Sequence, residues 1–237
     1  MSGLSLLERS MVVFNFLPSK TLHPSRIRDY GSWPYLSALA AAPDAAALWH
    51  RHWSADILQR EGLRDAPVTD GSSTGLEVAV MQPDALARLV RRIGVALCAP
   101  RLRYAISGPA VRALQAALGP QVMHWIREAR MTHPGLPGEM FHDADQACHD
   151  VDLAGHAALY LAFQSARPEV ARRLFLKLPP LPCLASASQG RMSSSDDELG
   201  TTAGSGIVHA VVAAIDSEGA MALVMAVRDR SDIQEQG

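Results

Sequence analysis

Apolar residues recur three and four positions apart through much of this chain, and that spacing predicts amphipathic helices. The strongest stripe starts at Asp84, after Pro83, and runs Leu86, Leu89, Val90, Ile93 and Leu97, with Arg88, Arg91 and Arg92 off its centre. Pro100 is expected to end that helix, and a short segment holding Leu102, Ala105 and Ile106 follows. Pro109 is pre-set for the next helix, in which Val111, Leu114, Ala117 and Leu118 keep helical spacing until Gly119-Pro120. Val122, Trp125, Ile126 and Ala129 predict a separate helix. Upstream, Asp44 can cap a helix over 44–62 in which Leu48, Trp49, Trp53, Ile57 and Leu58 share one face. Downstream, 143–164 and 168–178 predict two more helices, broken near Arg167-Pro168 and ended by Pro179-Pro180.

Between these stripes the pattern fails in informative ways. Residues 1–34 carry Pro18, Pro24, Gly31 and Pro34, which forbid a long helix and predict an extended arm. Residues 65–75 and 131–140 are proline- and glycine-rich loops, the second hinge-like; no Gly-Lys-Ser/Thr follows the glycines of the first, so it is not a phosphate loop. From 185 to 206 large apolar residues nearly vanish in favour of Ser, Thr and Gly, which predicts a flexible linker. Beyond it, the apolar runs 207–214 and 220–227 flank Asp216-Ser217-Glu218-Gly219, and periodicity leaves open whether they are helices or a hairpin. The expectation is an all-α protein: a compact multi-helix domain over 1–184 with an extended N-terminal arm, a flexible linker over 185–206 and a short apolar C-terminal tail over 207–237. Truncation after Leu184 is expected to leave a folded body. The competing expectation is that the tail covers an apolar groove on it.

Composition narrows the class. The chain has 237 residues, 48% of them hydrophobic and 5% aromatic, with a net charge of -2. Such a chain can bury a sizeable core, and its Ala, Leu and Arg content favours helix over sheet. Cys98, Cys148 and Cys183 lie far apart, forming neither a CxxC pair nor an even framework, which suits a reducing cytoplasm. Glu8, Arg9 and Asn15 interrupt the first apolar patches, so no secretory signal is expected, and the acids at the centre of 207–227 argue against a membrane span.

Charge is segregated. Residues 84–130 hold eight arginines and no lysine against only Asp84 and Glu128, whereas 139–152 holds Glu139, Asp143, Asp145, Asp150 and Asp152. Two accounts stand: solvated helix faces with mutual pairing, or a pair of docking faces, since guanidinium groups contact carboxylates bidentately. Nucleic acid is disfavoured for want of aromatic interleaving, a binding motif and overall basic charge.

Chemistry is sparse. His142, His149 and His156 with the neighbouring aspartates are metal-ligand types, but on a continuous helix each step is roughly 10.5 Å of rise, too far to share an ion. Asp145 with His149, or Asp152 with His156, supplies two ligands at most, so neither a metal nor a cofactor is expected. A helical metal-dependent hydrolase using His142–His156 remains the alternative function. No Gly-x-Ser-x-Gly elbow occurs, Cys98 fits a core position, Trp49 and Trp53 fit core packing, and His50 and His52 are expected at the surface.

Three segments carry a resemblance. Phe14-Asn15-Phe16-Leu17-Pro18 through His23-Pro24-Ser25, the block from Leu86 to Gly119, and Arg172-Arg173-Leu174-Phe175-Leu176-Lys177-Leu178-Pro179 occur in an order and spacing similar to those of the YscK/SctK family. That family belongs to the sorting platform of bacterial type III secretion systems. The resemblance implies a helical, non-enzymatic cytoplasmic adaptor, peripheral at the cytoplasmic face of the inner membrane and needed for protein export. Its implied partners are the cytoplasmic domain of the inner-membrane ring protein (SctD type) and the C-ring-like platform protein (SctQ type), with the stator and export ATPase reached indirectly and the membrane only through partners. Asn15 and His23 match the N-terminal signature; with Arg88, Arg91, Arg92, Arg101 and Arg103 of the basic helices they form the expected protein-binding set. The tail beyond Pro180 is not matched.

Overall fold

The computed structural model describes residues 5–31, 43–103, 107–129, 131–141, 143–181 and 202–235. The protein is all-α: ten helices and two 3-10 turns, with no strand among the described residues. It divides into two compact units, residues 1–86 with 166–180, and residues 87–165 with 181–237.

In the first unit the expected arm is built from α1 (Leu6–Phe16) and 3-10 turns at Pro18–Lys20 and Pro24–Arg26. Ser5 starts α1 with a capping box: its hydroxyl accepts from the Glu8 N–H while the Glu8 carboxylate accepts from the Ser5 N–H. Pro18 and Pro24 then each open a short turn instead of extending the helix. α2 (Pro43–Arg60) packs against α1 and the first turn, and α3 (Leu76–Ala79) against α8 (Pro168–Leu176). Trp53 and Ile57 of α2 join Leu22, Tyr30 and Leu176 in the core, with Trp49 and Ile27 packed against them. The two tryptophan rings stack with centroids 5.9 Å apart, as core packing requires. Leu48 departs from the expected face, because it sits one residue before Trp49 and so off the line Trp49, Trp53 and Ile57, and is 57% exposed. His52 is exposed, whereas His50 is half-buried: Ser19 Oγ lies 2.8 Å from both its Nδ1 and Ser54 Oγ.

The second unit contains α4 (Pro83–Leu102) from Ala87 onward, α5 (Gly108–Leu118), α6 (Val122–Ala129), α7 (Ala144–Ala162), α9 (Thr202–Ala214) and α10 (Ser217–Glu235). α5, α9 and α10 all pack on α7. Pro100 does not end α4, which runs two residues further. Having no N–H, Pro100 leaves the Ala96 carbonyl four residues back without its helical donor, and at the next position the Leu97 carbonyl accepts from the Leu136 N–H at 2.7 Å. The loop expected to be hinge-like is thereby tied to the helix end, with Leu136 wholly buried. Gly135 permits this contact, since it sits at a φ of 87° and a side chain there would meet the Pro100 ring at 2.3 Å.

The tail resolves into two helices rather than a hairpin. α9 begins at Thr202, inside the stretch expected as linker; residues 182–201, including Cys183 and most of that stretch, lie outside the described residues. Ile207, Val208, Val211, Leu223, Val224 and Val227 are buried. These helices pack on α7 within the second unit: short apolar runs need a partner face, and α7 supplies it. No single described helix is long and apolar enough to cross a membrane; Gly206–Ala214 and Ser217–Arg230 pass that test only as a pair bent by 98°.

Candidate docking surface

The first and third segments singled out in the sequence meet in the first unit. Asn15 is buried and clamps the backbone of Val68, its Nδ2 donating to the carbonyl at 2.9 Å and its Oδ1 accepting from the N–H at 2.8 Å. Phe14 is buried beneath the ammonium of Lys177, 5.2 Å from Nζ to ring centroid. Lys177 Nζ donates to the carbonyls of Ala79 and Met81 at 2.7 and 3.0 Å, taking up acceptors where α3 ends. Burial nonetheless pulls its pKa down from 10.5 to about 8. Arg173 does similar work one turn earlier, donating to the carbonyls of Leu63, Ala66 and Glu169 at 2.9 to 3.0 Å.

His23 closes the same cluster. Its N–H donates to the Leu176 carbonyl at 2.9 Å, and its Nδ1 accepts from the Ser25 N–H at 3.3 Å, which caps the second 3-10 turn. Arg26 Nε reaches the Leu178 carbonyl at 2.7 Å. Asn15 and His23 therefore hold the arm to α8 and the loops.

What the cluster leaves outside is Phe16. Of the three residues Phe14-Asn15-Phe16, two point inward, while Phe16 is 54% exposed beside Val12, one turn earlier and 42% exposed. Val12 and Phe16 are four apart and share α1's outward stripe with Arg9, three residues before Val12. The resemblance points to Asn15 and His23 as members of the N-terminal signature; that Phe16 of the same signature faces outward is known only from its burial.

In the second unit the basic and acidic segments pair. Arg91 grips both carboxylate oxygens of Asp152 at 3.2 and 3.3 Å. Arg92 meets Glu128 at 3.8 Å and lies over the Trp125 ring. Arg101 makes the most contacts of the three: it faces Asp150 at 3.4 Å, donates from Nε to the Glu139 carbonyl at 2.8 Å and stacks on Phe141. Pairing with the acidic segment thus accounts for Arg91 and Arg101, and pairing within the basic segment for Arg92; Arg88 is exposed and Arg103 half-buried.

Two residues of metal-ligand type are also engaged. Asp152 gives its carboxylate to Arg91, and His156 Nδ1 donates to the Asp152 carbonyl at 2.7 Å, with burial holding the imidazole below its ordinary pKa. His142 lies outside the described residues, and His149 is exposed. Among the described residues, no group of three or more His, Cys, Asp or Glu side chains is placed to hold a metal ion. A crevice of about 420 Å³ opens beside Arg101, walled mainly by apolar residues of α5 and by Met140 and Phe141.

No family model, no curated protein and no solved structure matches this chain.

Proposed function

We propose that this chain is a non-enzymatic adaptor of a type III secretion system, joining the cytoplasmic domain of the inner-membrane ring protein to the C-ring-like platform protein. The observation that carries the reading is the meeting of two of the segments on which the YscK/SctK resemblance rests. Phe14, Asn15 and His23 are built onto Leu176, Lys177 and the loops those residues organise. Their packing into one cluster supports taking the two likenesses together. Polar chemistry in the described residues goes into cohesion: Arg91, Arg101, Arg173 and Lys177 hold carboxylates or backbone carbonyls of their own units, as suits a scaffold. The adaptor acts in the cytoplasm, at the membrane's inner face, through its partners.

Affinity capture from secretion-competent cells after mild crosslinking tests the reading. Recovery of both the ring and the platform proteins is expected. Recovery of neither overturns it.

A further inference from the structure

We propose that the outward stripe of α1, centred on Phe16, receives an acidic amphipathic helix of a partner protein; this rests on the adaptor reading and names its contact. Phe14 and Asn15 have complete roles inside the first unit. Phe16, next to them, leaves about half its surface in water, and Val12 beside it does nearly the same. Two large apolar side chains four residues apart form one strip, the pattern that a partner helix meets with anchors at the same spacing.

Charge selects the partner. Arg9 is exposed on the same stripe before Val12, and exposed Lys20 follows Phe16 in the next turn. The only acid in α1, Glu8, has its carboxylate held by the Ser5 N–H at 2.7 Å. The strip is apolar in the middle and basic at its ends, which complements two apolar residues flanked by carboxylates. A lipid surface fits less well, because interfacial helices insert a wide apolar face, whereas the inward face of α1 is committed to Phe14 and Asn15.

The test uses the full chain and the purified ring-protein cytoplasmic domain and platform protein from the same genome, with binding measured at low and high salt. Phe16→Ser and Arg9→Glu are expected to weaken binding to one of them at least tenfold while thermal midpoints hold, and Arg9→Glu to flatten the salt dependence. Leu48→Ser, at an exposed apolar residue of α2, serves as control and should bind as wild type. If wild type binds and every variant binds equally well, the stripe is not the contact and the adaptor reading stands. If wild type binds neither protein, both proposals fall. Co-sedimentation with phosphatidylglycerol vesicles is the remaining arm: loss there on Phe16→Ser, with protein binding intact, overturns the helix partner in favour of lipid.

Discussion

Gly94 and Gly155 make a reciprocal close contact between α4 and α7. A β-carbon on Gly94 would stand 1.9 Å from the Val151 carbonyl oxygen, and one on Gly155 would stand 2.1 Å from that of Val90. Each glycine faces backbone, one turn along from the residue its partner meets, so neither side can yield by a rotamer change. Alanine ordinarily stabilises a helix interior by about 1 kcal/mol over glycine. Here overpacking costs about 1–3 kcal/mol or more and forces the helices apart. Gly94→Ala and Gly155→Ala should each lower unfolding free energy by about 2 kcal/mol in urea titrations. A gain in stability would show that the two helices are not in this contact.

Asn15 and Phe16 are neighbours with opposite expectations. Asn15→Ala removes both bonds to Val68 and strands a buried N–H and carbonyl, which costs on the order of 3 kcal/mol. Phe16→Ser touches an exposed side chain and should stay within about 0.5 kcal/mol of wild type. Urea unfolding of the two variants side by side checks the assignment of one to folding and the other to surface.

Lys177 gives a pH signature of known sign. Its pKa falls from 10.5 in the unfolded chain to about 8 in the fold, so between these values the unfolded state binds more protons. Its contribution therefore raises stability as pH climbs from 8 towards 10.5, and is level below 8, where both states are protonated. Wild type should gain on the order of 2 kcal/mol relative to Lys177→Met between pH 7.5 and pH 10. Parallel pH dependence of the two proteins would place the ammonium in water.

Arg101 and Arg88 separate pairing from display. Arg101 bridges Asp150, the Glu139 carbonyl and the Phe141 ring, and its loss leaves Asp150, largely enclosed, without its cation. Arg101→Ala should destabilise the protein by about 3 kcal/mol, whereas Arg88→Ala, at an exposed position, should leave the thermal midpoint unchanged. Equal midpoints for the two variants would return Arg101 to the set of docking candidates.

Much of this architecture is legible in the sequence because helix stripes and breakers are local signals. The stripe from Leu86 to Leu97, Pro109 at the start of α5 and the helix expected over 143–164 needed only residue types and spacing. Gly94 was invisible within that stripe, since nothing local distinguishes a tolerated helical glycine from one that meets another backbone. Pro100 misled for a related reason: its effect on α4 depends on Leu136, far along the chain. The roles of Asn15, Arg91 and Arg101 depend likewise on remote partners, Val68, Asp152 and Asp150. Asn15, His23, Arg91 and Arg101 each hold a remote part of their own unit, Arg88 stays exposed, and the exposed aromatic beside Asn15 emerged only from its burial.

If the chain acts as proposed, as a bridge rather than a catalyst, export requires it. The most direct measurement is type III export in a clean deletion strain of the bacterium that encodes it, with membrane rings visualised in the same cells. Export should be abolished while the rings remain assembled, and wild-type chain supplied in trans should restore it. Normal export without the chain would contradict the claim.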